Sequence, residues 1–115
     1  MFIAITRLEV RSFWKAFRLL TLSGKIISEA KSTQGSLHVD AYNSGLRNFY
    51  TITAWESKDD MEVFMRGGTH LQAMRESRDL ARSLSSTHFY ADTVPGKAEV
   101  KAILLDSRHN KSPNA

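Results

Sequence analysis

With no cysteine in its 115 residues, this chain has histidine, tyrosine, tryptophan, carboxylate and hydroxyl side chains left for chemistry. Disulfides, thiol catalysis and thiolate metal sites are therefore excluded. His70 is the first candidate. It follows Thr69 in "GGTHLQAM", and Thr69 with Gln72 has the form of a capping box, which puts His70 at a helix N-terminus. The positive end of the helix dipole favours the neutral imidazole. Beside a cavity, such a ring can take the proton of a phenol or hydroquinone. The plainer role is a half-exposed residue of a first helical turn. Trp55 ends a strand-like run. It either packs against a partner subunit or walls a cavity and stacks on a planar aromatic ligand. His38, Asp40 and Tyr42 share one strand face, and His88, Tyr90 and Asp92 share another. Both sets could do acid-base work, though any solvated sheet face produces such sets by alternation. If the second set lines a pocket, His88 and Tyr90 belong to it. Arg7 is a cation in a strand that begins apolar. It pairs with Glu9 or Asp92, or it holds an anionic ligand.

Other chemistries lack their residues. His38, His70, His88 and His109 are scattered without metal-ligand spacing, so no metal site is expected. Gly67-Gly68 has neither G-x-G-x-x-G nor a following Lys-Ser/Thr, so it is no phosphate loop. G-x-S-x-G is absent. The net charge is +4, but the Lys and Arg residues form no stripe, so no nucleic-acid partner is expected. No apolar run approaches the roughly 20 residues of a membrane span. "MFIAITRLEV" reads as a strand and not as a signal peptide. Together with the lack of cysteine, this predicts a cytoplasmic protein.

The elements that must position these residues follow from periodicity. Residues 2–10 alternate, with Phe2, Ala4, Thr6, Leu8 and Val10 on one face and Ile3, Ile5, Arg7 and Glu9 on the other. Both faces begin apolar, which predicts a strand covered on both sides. After Ser12, a plausible N-cap, Phe13, Phe17, Leu20 and Ile27 keep helical spacing to about residue 31. Residues 36–42 and 49–55 alternate around "NSGLRN" and read as a hairpin. Ser57 and Asp60 form a capping box for a short helix over 58–66 that buries Met61, Phe64 and Met65, and Gly67 or Gly68 ends it. A second helix over 70–84 buries Leu71, Met74, Ala81 and Leu84. Residues 86–94 are the last strand, and Val100, Ile103 and Leu104 suggest a short helix before a frayed tail.

The order is β-α-β-β-α-β with a broken second helix. It predicts an α+β, ferredoxin-like fold with an antiparallel sheet. Residues 1–96 form that domain, and residues 97–115 are a C-terminal short helix and disordered tail. The helices cover one sheet face. A second copy of the chain is the natural cover for the other, which predicts a homodimer.

The pieces "FIAITRLEV", "FYTITAWESKDDMEVF" and "GGTHLQAM" carry a resemblance. A strand ending in Trp, an acidic capped helix, a small-residue break and a His opening the next helix resemble the antibiotic biosynthesis monooxygenase-like proteins of the dimeric α/β-barrel superfamily, over roughly residues 2–94. The resemblance implies a ligand cavity between sheet and helices or within the barrel, with Trp55, Thr51 and Thr53 toward it. It implies a cofactor-independent oxygenase acting on a planar aromatic or quinol-like small molecule. In that reading His70 is the base, Trp55 and Phe64 are an aromatic wall, and Thr6, Thr51 and Thr53 supply polar positioning. The alternative is a non-catalytic small-ligand-binding barrel. The haem-degrading branch needs Asn, Trp and His where this chain has Thr6, Phe64 and Met74, so no cofactor is expected and a haem-binding or haem-degrading protein is the third and weakest alternative; Met74 stays a candidate ligand contact.

Overall fold

The computed structural model describes residues 1–45 and 47–110. The elements run β1 (Phe2–Val10), α1 (Phe13–Ser32), β2 (Ser36–Ser44), β3 (Asn48–Trp55), α2 (Lys58–Met65), α3 (Gly68–Leu80), β4 (Ala81–Tyr90) and α4 (Lys97–Asn110). The end of the tail expected to fray, 111–115, lies outside the described residues, as do the side chains of Phe13, Phe17, Leu20 and Thr69. The strands form one antiparallel sheet in the order β2-β3-β1-β4. This is the ferredoxin-like α+β arrangement, with α2 and α3 as the two halves of a broken second helix. No helix among the described residues is long and apolar enough to cross a membrane.

Local chemistry accounts for the joints. Gly35, at φ 86°, turns the chain from α1 into β2, and its carbonyl accepts from the Glu56 backbone N–H at 2.8 Å. A side chain at Gly35 would collide with Asp60. Gly45, at φ 70°, serves the β2–β3 turn, where Asn43 Nδ2 donates to its carbonyl at 2.9 Å. At the start of α2, Ser57 Oγ accepts from the Asp60 backbone N–H at 3.2 Å and pairs with Asp60 Oδ2 at 3.0 Å. That is the expected capping box. Gly67 N–H closes on the Phe64 carbonyl at 3.0 Å, and the Leu71 N–H on the Gly67 carbonyl at 3.0 Å then starts α3. The second helix thus begins at Gly68, which puts Thr69 inside the helix and not at its N-cap.

Three further expectations are corrected. The second helix stops at Leu80 and the last strand starts at Ala81, where a helix to residue 84 and a strand from 86 were expected. The cause is non-local: β4 pairs with β1 from Phe2↔Tyr90 to Val10↔Ala81, and this ladder overrides the helical spacing of Leu71, Met74, Ala81 and Leu84. Leu71, Met74 and Leu84 are not buried; each is at least 42% exposed. Most consequential is the outer sheet face. Ile3, Ile5, Tyr50, Ile52 and Ala54 there form a core with Val100 and Leu104 of α4. The chain's own C-terminal helix covers the apolar part of the face that a second copy was expected to cover.

Candidate active site

On its other face the sheet meets α1, α2 and α3 around a cavity of about 560 Å³. Its floor is ordered in rows because β3, β1 and β4 pair in register. Thr51, Thr6 and Ser86 lie side by side across the three strands, and Thr53, Ala4 and His88 form the next row. Phe49, Leu8 and Leu84 make an apolar row on one side of this polar band. On the other side lie Trp55, Phe2 and Tyr90. Successive rows on one face of a strand are two residues apart, about 6.6 Å. A planar molecule of two or three fused rings is about long enough to cover the two rows of the polar band. Ile26, Ile27 and Ala30 of α1 face the floor, with Met61, Phe64 and Met65 of α2 and His70 and Met74 of α3.

Of the residues expected at the site, Thr6, Thr51, Thr53, Phe64, His70 and Met74 line this one cavity. Trp55 does not. Its side chain is fully buried with Phe2, Ala30 and Met61, behind the wall and not on it. It acts on the cavity through Phe64, whose ring stacks on it at 5.3 Å and 30°. Phe64 in turn meets His70 edge-on, with centroids 5.2 Å apart. Alternation puts Trp55 on the same face as Thr51 and Thr53, but on the last rung of β3, where the roof helix closes onto the sheet.

His70 has the chemistry of a base. Burial lowers its pKa below the ordinary 6.5, and a hydrogen bond to the Met65 backbone opposes that shift. The imidazole is therefore neutral at physiological pH. Desolvation leads here, where the sequence suggested the helix dipole; the third residue of α3 does sit at the positive helix end. Nδ1 is buried and has no hydrogen-bond partner among the described residues. The indole Nε1 of Trp55 is likewise buried and unpartnered.

His88 is also on the floor, stacked on Phe2 at 5.7 Å. Its parity with Tyr90 was visible in the sequence, but the inward face of β4 was not. The Leu84 position was hidden by the misplaced start of that strand. The β4 side chains facing the cavity, from Arg82 to Tyr90, are exposed, so the cavity opens along β4. Among the described residues no three His or carboxylate side chains gather as a metal site. His38, Asp40 and Tyr42 lie on the face away from the cavity, across from Ala54, Ile52 and Tyr50.

No known protein-family profile matches the chain, and no curated protein matches it by sequence. Solved structures do match. A Nitrosomonas europaea protein carried under the provisional name antibiotic biosynthesis monooxygenase superposes with a TM-score of 0.73 at 14% identity, covering 81% of this chain and 100% of that one. A Deinococcus radiodurans protein of the same provisional name gives 0.75 at 19% identity, covering 84% and 97%. SnoaB, a cofactor-independent oxygenase from Streptomyces nogalater, gives 0.68 at 13% identity, covering 83% and 97%. The chain has the fold of the antibiotic biosynthesis monooxygenases, and the resemblance read from its strands and broken helix holds at the level of architecture.

Proposed function

We propose that the protein is a cofactor-independent monooxygenase acting on a planar, hydroxylated aromatic or quinol-like small molecule. The observation that carries this is the place of His70: a half-buried imidazole, neutral at physiological pH, on the wall of a cavity large enough for such a molecule. His70 takes the proton of the substrate hydroxyl. The resulting anion is electron-rich and passes electrons to dioxygen directly; one oxygen atom stays in the product and the other leaves as water. The hydroxyls of Thr6, Thr51 and Thr53 hold the substrate oxygens, and Phe64, braced by Trp55, holds the ring plane. Likeness to SnoaB supports the reading only as analogy of fold.

The same reading takes the protein as a cytoplasmic homodimer. Since α4 occupies the apolar part of the outer sheet face, a second copy is taken to meet the free edge of β4 beside the exposed Leu84 and Tyr90. Light scattering that finds only monomer refutes the dimer.

Oxygen uptake with a panel of hydroquinones tests the chemistry. General-base loss costs about 10²–10⁴-fold, so His70→Ala is expected to drop the rate by that factor. Equal rates in wild type and variant would sink the role of His70. Binding of the panel without oxygen uptake would make the protein a ligand carrier.

A further inference from the structure

On the face away from the cavity, Arg7 stands in a polar group at the end of the apolar core, whose neighbours Arg82 and Ser83 also border the cavity. Ile3 and Ile5 precede it on the same side of β1 and are covered by α4. At Arg7 the face turns polar: Tyr50 and Ser85 flank it in register, and Asn48, Glu9 and Ser83 make the next row. The guanidinium is half-buried and donates three hydrogen bonds, all to neutral oxygens. Nη1 reaches Asn48 Oδ1 at 3.3 Å, and Nη2 reaches Ser83 Oγ at 3.4 Å and Ser85 Oγ at 3.2 Å. No carboxylate lies within 4.0 Å of it among the described residues. Glu9, the nearest acid along the strand, is turned to other partners: Ser83 Oγ donates to its Oε1 at 3.4 Å, and Arg82 Nε stands 4.0 Å from the same atom. The pairings with Glu9 or Asp92 open from sequence are therefore not made.

The hydrogen-bond inventory gives the group a polarity. A guanidinium has five N–H donors, of which three are used here. Asn48 spends its carbonyl oxygen on Arg7, which leaves its amide N–H₂ over. Ser85 accepts from Arg7, which leaves its O–H over. The unused groups of Arg7, Asn48 and Ser85 are donors, around a positive charge that Asn48 and Ser85 hold but do not neutralise; the Glu9 carboxylate is an acceptor at the border. Two guanidinium N–H groups, an amide and a hydroxyl are the complement of a small oxyanion, and the planar fork of arginine suits carboxylate and phosphate groups. Glu9 lies at the border and disfavours a second negative charge, but Arg82 offsets it, so the cluster of Arg7, Arg82 and Glu9 keeps a net positive charge.

We propose that Arg7, with Asn48 and Ser85, forms a binding site for a small carboxylate or phosphate anion on the sheet face opposite the cavity. The site stands independently of the oxygenase reading. Inorganic phosphate and succinate are the probes, titrated at constant ionic strength against chloride and followed by calorimetry and by amide NMR. In wild type the expected result is saturable one-to-one binding of at least one probe, with the backbone signals of Asn48 and Ser85 moving along the same isotherm. Preference for succinate identifies the carboxylate as the ligand group, and preference for phosphate identifies the phosphate. Arg7→Gln is expected to lower the association constant by about tenfold or more, and Arg7→Lys, which keeps the charge and loses the fork, by less. Arg82→Gln, which removes none of the donors but takes away the charge that offsets Glu9, is expected to weaken the binding less than Arg7→Gln does. Amide signals at Asn48 and Ser85 that stay put under both probes would overturn the proposal. So would equal affinity in folded Arg7→Gln. Should that variant not fold, the wild-type titration decides alone.

Discussion

Truncation after Pro95 removes α4 and tests how the sheet's outer face is protected. Ile3 and Ile5 are fully buried and Ile52 is 2% exposed, and Val100 and Leu104 pack in the same cluster. Burying one such side chain is worth about 1.5–3 kcal/mol, so uncovering three isoleucines costs about 5–9 kcal/mol. That is comparable to the whole stability of a domain, about 5–15 kcal/mol. Truncation should therefore leave the chain unfolded or drive it to bury the face against a second copy. Leu104→Ala is the graded version and should cost about 2–5 kcal/mol without changing the surface exposed on unfolding. Urea denaturation followed by tryptophan fluorescence measures both, because Trp55 is in the core on the opposite side of the sheet. Light scattering on the truncated chain separates unfolding from pairing. A truncated chain that stays a folded monomer with the wild-type midpoint would refute the reasoning, since α4 would then cover nothing that needs cover.

The pH dependence of stability tests the state of His70. Its folded pKa lies below 6.5, so as pH falls through 6.5 the unfolded chain takes up the proton first. Stability contributed by the neutral ring is full above that point, declines as pH drops toward the folded pKa, and changes no further below it. His70→Gln should remove this decline from the urea midpoints measured on either side of pH 6.5, and parallel curves for the two proteins would contradict the assignment. Gly35→Ala should lower the thermal midpoint through two effects. The left-handed φ of 86° costs about 1–2 kcal/mol for a side chain, and the displaced Asp60 loosens a cap worth about 1 kcal/mol. Gly45→Ala, at φ 70° in open space, should show only the first, so equal losses at the two glycines would argue against the steric role of Asp60.

The elements that sequence made legible are those whose neighbours are close along the chain. Alternation in residues 2–10, 36–42 and 49–55 placed three strands and put Thr51 and Thr53 on one face, but only the resemblance turned that face inward. Ser57 and Asp60 announced α2, because a capping box is completed within four residues. Where long-range pairing decided, the reading failed. Residues 81–84 continue a helical spacing, yet they join β1 from the far end of the chain. The pattern of Val100, Ile103 and Leu104 marked a helix but not the sheet face that receives it. Trp55 shows the limit within the site: its parity was right, but its depth depends on Phe64 lying over it, and no local pattern encodes that.

Three of the chain's four methionines, Met61, Met65 and Met74, stand on the helix side of the cavity, and Met65 and Met74 are partly open to solvent. An unbranched thioether changes rotamer cheaply and is strongly polarizable. The roof is thus compliant while the β-sheet floor is stiff, so the outline of a guest is tolerated and the position of its oxygens is not. The same sulfurs make the enclosure chemically perishable. Conversion of Met65 or Met74 to the sulfoxide would replace a yielding apolar contact with a polar one at the rim, and a protein that handles dioxygen there would carry a record of its own use in the oxidation state of its roof.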